Sequence, residues 1–151
     1  MQQPIDTNDT QVFATVKENQ NFDRKSARKD TDEIAKHIIA FANFAGGKLV
    51  IGIEDDGEIT GFKRDKAHDI EDFKQAAIVC CDPVPKVETT EIPVTNSKGE
   101  GDLILVIDIE ASAERVITRR KDKAVFLRQK DRSVILDREQ VAASRLPVPR
   151  R

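Results

Sequence analysis

Five carboxylates have the residue type and spacing from which a reactive site could be built. Glu18 and Asp23 stand five positions apart, and Glu54-Asp55-Asp56 forms a run before Gly57. Hard divalent cations such as Mg²⁺ or Mn²⁺ take oxygen ligands, and clustered carboxylates hold them where they activate water against a phosphodiester. Spacing alone does not bring the two groups together. Solvated turn acids fit the same pattern, and on the residues alone that plainer reading is favoured.

A second group is basic. Between residues 115 and 138 stand Arg115, Arg119, Arg120, Lys121, Lys123, Arg128, Lys130, Arg132 and Arg138, nine cations against Asp122, Asp131 and Asp137, on a chain of net charge −2. Such a contrast makes a patch that phosphate backbones bind, and a solvated charged rim fits it equally well. The pI of about 5.8 argues against a broad electrostatic embrace of nucleic acid. With no Trp, no Tyr and seven Phe, the chain also lacks the rings for a base-stacking platform, and the phenylalanines are assigned to the core.

Other chemistries are poorly supplied. Asn43 with Gly46-Gly47 sits at a predicted helix C-terminus, where the dipole disfavours phosphate, and no GxxxxGK or GxGxxG run exists. Asn43 is expected to hydrogen-bond the following turn. His37 and His68 have no spacing-defined nucleophile partner and read as surface or boundary histidines. Cys80 and Cys81, adjacent and without a CxxC companion, give no zinc framework and read as free thiols at a helix end in a reducing compartment. No apolar run approaches the ~18 residues that span a bilayer, so no membrane segment is expected and the cytoplasm is the expected location.

The elements that must position these groups follow from periodicity. Asp30 caps a helix over 31–45, with Glu33 in the capping-box position and Ile34, Ile38, Phe41 and Ala45 on one stripe. Gly46-Gly47 stops it. Residues 49–62 read as a hairpin turning at Glu54–Gly57, with Gly52 marking a bulge or close approach. A helix over 69–80 ends before Asp82-Pro83. A strand over 87–94 is expected to break at Pro93, and 103–109 is the central strand. A short edge piece is expected at Val116-Ile117, a strand at 124–127, and a last helix from Asp137 to Arg145. Residues 12–14 fit a strand or a helical turn, and 18–30 a surface strand and loop around Phe22. The sum is an α+β domain over 12–145, a mixed sheet of about five or more strands with two to three packed helices, between a lead-in at 1–11 and a loose tail at 146–151.

Several segments resemble a known family. ENQNFDRK at 18–25 is similar to the opening acid, acid, aromatic and lysine run of the Schlafen AlbA-2 domain, a family described as DNA-binding. Glu18, Asp23 and Lys25 fall on its charged positions, and Arg24 replaces its usual aromatic. IIAFANFAGGKLVIGIEDDGEITGF at 38–62 resembles its helix, Asn-x-x-Gly-Gly turn and glycine-bearing hairpin, through Asn43, Gly46, Gly47, Gly52, Gly57 and Gly61. DPVPKV, LILVIDI and AVFLRQKDRS sit where the family has a helix-ending proline run, a core strand and a strand ending in arginine. Gln129-Lys130-Asp131 intervenes between that arginine, Arg128, and Arg132-Ser133, where the family commonly continues with glycine and serine.

The resemblance implies a domain that binds DNA or RNA, with regulation among the roles it allows; taken with the basic segment, phosphate contacts are expected from Lys25, Arg119, Arg120, Lys121, Arg128, Lys130 and Arg132. It also implies an alternative, since some Schlafen members resemble metal-dependent endoribonucleases. In that reading Glu18, Asp23 and Asp55 hold Mg²⁺ or Mn²⁺ and Lys25 stabilises developing charge. Such nucleases pair two lobes, so a single lobe would need a homodimer. A protein-interaction module is the third class.

Overall fold

A computed structural model describes residues 7–144. In chain order the elements are α1 (Thr7–Thr15), β1 (Phe22–Lys25), α2 (Thr31–Ala42), β2 (Gly47–Ile51), α3 (Ile70–Cys80) and β3 (Cys81–Asp82). They continue with β4 (Val87–Thr95), β5 (Gly101–Ile109), β6 (Thr118–Arg119), β7 (Val125–Gln129), β8 (Arg132–Leu136) and α4 (Arg138–Ala143). Four strands form the main sheet in the order β1-β2-β5-β4, with β1 parallel to β2 and the other pairs antiparallel. Two small sheets, β3-β6 and β7-β8, complete an α+β fold.

Side chains alternate across β2 and β5, and both faces are covered. Leu49, Ile51, Leu105, Ile107 and Ile109 pack on α2 and α3, while Val50, Ile104 and Val106 join Phe22 and Ile92 on the other face, where Phe13 and Ala14 of α1 meet them. That is why these strands read as continuous apolar runs rather than alternating ones. Helix α2 forms as expected: the Asp30 side chain accepts from Glu33 N at 2.9 Å, and Ile34, Ile38 and Phe41 are fully buried. Its last residue is Ala42, and Gly46, at φ +76°, turns the chain. A Cβ there would lie 2.6 Å from Ile109 O, so glycine is demanded by backbone angle and space together.

Several expectations are corrected. Residues 58–62 do not build a second hairpin strand; they make one bridge, Ile53↔Ile59. Both edges of β2 are already taken, by β1 and β5. The β4 strand runs through Pro93 without a break, because β4 is an edge strand and an edge tolerates the missing N–H. Residues 12–14 lie in α1, which takes up part of the expected lead-in. The short edge piece is Thr118–Arg119, two residues on. A hairpin partner that the sequence reading missed, β8, pairs with β7 across a turn in which Lys130 has φ +56°. The strand around Phe22 is buried rather than superficial, and Phe44, 41% exposed, is not in the core. The expected helix end at Arg145, the first residues of the lead-in and the tail 146–151 lie outside the described residues. Among the described residues no helix is long and apolar enough to cross a membrane.

Candidate functional site

Strand β1 places the first candidate residues. Its register sets Asp23 opposite Leu49 and Lys25 opposite Ile51, on the face that packs against α2. Arg24 faces the other way. Its guanidinium lies over the Phe22 ring and donates to the carbonyls of Phe13 and Val16, fastening α1 to the sheet.

Asp23, only 1% exposed, is the hub of a polar cluster. Its Oδ2 lies 2.8 Å from Arg128 Nη1 and 3.7 Å from His37 Nδ1, and its Oδ1 lies 3.5 Å from Lys25 Nζ. Arg128 is buried as deeply. Its Nε donates to Asn19 O at 3.1 Å, and its Nη2 to Asn19 O at 3.0 Å and Phe22 O at 3.3 Å. The guanidinium also lies 4.6 Å over the Phe41 ring. A buried guanidinium so fully paired ties the β7–β8 hairpin to β1. Of the cations expected to contact phosphate, Arg128 is thus placed in the interior, 1% exposed and already paired.

Arg128 Nη1 also donates to Ser133 Oγ at 3.0 Å, and that hydroxyl is 2.7 Å from His37 Nδ1. The Ser133 hydroxyl thus bridges the Arg128 guanidinium and the His37 ring. Nε2 is buried without a hydrogen-bond partner, 3.5 Å from Glu33 Oε1. Burial pushes His37 down to about 4, against the pull of Asp23. Glu18 accepts from Arg24 N at 3.1 Å and shares a hydrogen bond with Asp23. Burial first, and that carboxyl neighbour second, raise Glu18 to about 7. Asp23 goes the other way: burial alone would raise it, but the Glu18 hydrogen bond and the charges of Lys25, His37 and Arg128 hold it below the usual range. The pair therefore favours the protonated form at Glu18 and the ionised form at Asp23.

Asp55 does not join this cluster. It lies exposed on the turn after Ile53, where Glu54 Oε2 accepts from Thr60 Oγ1 at 2.7 Å and faces Arg64 at 3.2 Å. Among the described residues no group of three or more His, Cys, Asp or Glu is arranged to hold a metal. Asp23 has one oxygen against Arg128 and the other accepting from Arg24 N at 2.8 Å, so the cluster does not fit a divalent cation.

The basic segment is sorted just as sharply. Arg119 forks onto Asp122 and lies over Phe126, Lys121 pairs with Asp32 at 2.7 Å, and Lys123 pairs with Asp82 at 3.1 Å. Arg120, exposed, donates to Cys81 O at 2.8 Å beyond the end of α3. Lys130 and Arg132, at the tip of the hairpin, are exposed and form no ion pair among the described residues.

Asn43 does more than bond the following turn. Buried at the end of α2, it donates to Ile117 O and Phe126 O and accepts from Ile117 N, docking the helix on two distant segments. Gly47 lies against the Phe41 ring, and Gly52, Gly57 and Gly61 all have positive φ. The sequence reading missed His37 and Ser133 as members of the cluster. His37 stands three residues after Ile34 and four before Phe41, on the apolar stripe itself, and that spacing is the signal of burial. Cys80 and Cys81 are free and buried, and burial pushes the Cys81 thiol up to about 12, so it supplies no nucleophile.

No curated protein matches the chain. A family model does, the one described as Schlafen, AlbA_2, over residues 18–137, from the acid that opens the cluster to the cap of the last helix. With that match over most of its length, the chain belongs to the Schlafen AlbA_2 family.

Proposed function

We propose that this domain binds the phosphate backbone of nucleic acid through its exposed cations, and that the buried Asp23–Arg128 cluster is the scaffold that presents them. Family membership suggests a nucleic-acid-related domain. The observation that supports the finer reading is the hairpin tip, where Lys130 and Arg132 flank Asp131 and carry exposed charge that forms no ion pair among the described residues. Arg120 and Lys121 add exposed charge. The Lys121–Asp32 ion pair is solvent-facing, and such pairs yield readily to a competing phosphate. Lys25, its side chain 17% exposed, stands at the rim of the cluster. Phosphate contacts of this kind carry no sequence preference.

The metal-dependent ribonuclease is the weaker reading, because the oxygens of Asp23 are spent on Arg128 and the Arg24 amide and Asp55 stands apart. The test is fluorescence anisotropy with labelled single-stranded RNA and DNA at low salt. Replacing Lys130 and Arg132 together by alanine should weaken binding about tenfold. Equal affinity in wild type and variant would sink the assignment to the hairpin tip.

A further inference from the structure

Away from the Asp23 cluster, the segment after Gly57 and the turn joining β4 to β5 face each other across a small solvent-open cleft of about 120 Å³. Four of its nine lining residues are basic, Arg28, Lys63, Arg64 and Lys98, and two are acidic, Glu58 and Asp65. Lys63 and Lys98 form no ion pair among the described residues. The Glu58 carboxylate accepts from Ser97 Oγ at 2.8 Å, so that acid is engaged in tying one wall to the other. Arg28 is oriented by its Nε, which donates to Asp65 O at 2.8 Å. Arg64 Nη1 stands 3.2 Å from Glu54 Oε2 but makes no hydrogen bond, and that oxygen already accepts from Thr60 Oγ1.

The walls are fixed from below. Asp102, 8% exposed, accepts from Phe62 N at 2.9 Å, Lys63 N at 3.1 Å and Asn96 Nδ2 at 2.9 Å. Asn96 Oδ1 in turn accepts from the amides of Lys98 and Glu100. The Asp102 charge is therefore surrounded by donors, and the walls it fixes carry four cations against the two acids Glu58 and Asp65, an excess of two positive charges. Guanidinium forks and lysines are the side chains that recognise phosphate oxygens.

We propose that this cleft is a phosphate-binding site that takes a phosphodiester of a nucleic-acid strand, with Lys63, Lys98, Arg28 and Arg64 as its cationic walls. The phosphate chemistry is independent of the function proposed above, whereas the nucleic acid as its source rests on that reading.

The experiment uses the full chain, the Lys63→Ala/Lys98→Ala variant, and Lys86→Ala as an exposed-lysine control outside the cleft. Melting is followed in inorganic phosphate against chloride at matched ionic strength, and binding of a single-stranded RNA by anisotropy. The proposal expects phosphate to raise the wild-type and Lys86→Ala melting temperatures more than that of the double variant. It also expects RNA affinity to fall about tenfold in the double variant, with a salt slope shallower by roughly 1.4. If wild type binds no RNA but keeps a phosphate response that the double variant loses, the nucleic-acid source fails and the phosphate site stands. A double variant that responds to phosphate as wild type does overturns the proposal. Should the double variant fold poorly, Lys98→Glu on the open turn replaces it, because the Lys98 backbone bond to Asn96 survives any side-chain change.

Discussion

The root and the tip of the β7–β8 hairpin lie within five residues of each other and treat positive charge in opposite ways. At the root, Arg128 is sealed between Asp23, two carbonyls, a serine and the face of Phe41. At the tip, Lys130 and Arg132 form no ion pair among the described residues. All three counted equally in the run of nine cations. The difference teaches that a charge run measures potential, whereas partners and burial decide which members of it a ligand can reach.

The sharpest way to break this contrast is to cut the root. Arg128→Ala leaves Asp23 buried without its guanidinium, and such uncompensated charges cost about 3–5 kcal/mol. Chemical denaturation should show that loss in the midpoint. Alanine at both Lys130 and Arg132 should stay within about 0.5 kcal/mol of wild type, as exposed substitutions do. Comparable midpoints for the two variants would remove the distinction between scaffold and contact surface.

A smaller effect sharpens the account of the root. Glu18 has its folded value raised from 4.5 to about 7, so its contribution to stability is complete below 4.5 and is lost as pH rises through 7. His37, lowered from 6.5 to about 4, contributes oppositely: its share is present above 6.5 and is lost as pH falls towards 4. Glu18→Gln removes the first of these opposed slopes. The variant should therefore gain stability relative to wild type as pH rises from 4.5 to 7, then run parallel above it. Denaturation midpoints for the pair across pH 4.5–8 check this, and curves parallel throughout would show that Glu18 holds no displaced proton.

Much of the framework was legible in the residues. Asp30, the Ile34-Ile38-Phe41 stripe and Gly46 specified α2 because caps, periodicity and a left-handed stop are local devices. The apolar runs at 49–53 and 103–107 announced a buried strand and a central one. What escaped the sequence was non-local. Nothing in 58–62 shows that β2 already has two neighbours, and Pro93 breaks a strand or not according to whether that strand lies at an edge. The site was half legible: Glu18, Asp23 and Lys25 were found from their spacing and their resemblance to the family motif. The partnership of Asp23 with Arg128 spans 105 positions and converts an apparent metal ligand and an apparent phosphate contact into one buried pair. His37 was visible on the stripe but passed over because it is polar, and Ser133 because its strand was not foreseen.

The most direct measurement is the salt dependence of RNA binding by wild type and by the Lys130→Ala/Arg132→Ala variant. Exposed cations neutralising phosphates release counterions, so log K should fall linearly with log salt for wild type, with a slope shallower by roughly 1.4 in the variant. A flat dependence in wild type, or identical slopes for the two proteins, would contradict the assignment of these cations to a phosphate backbone.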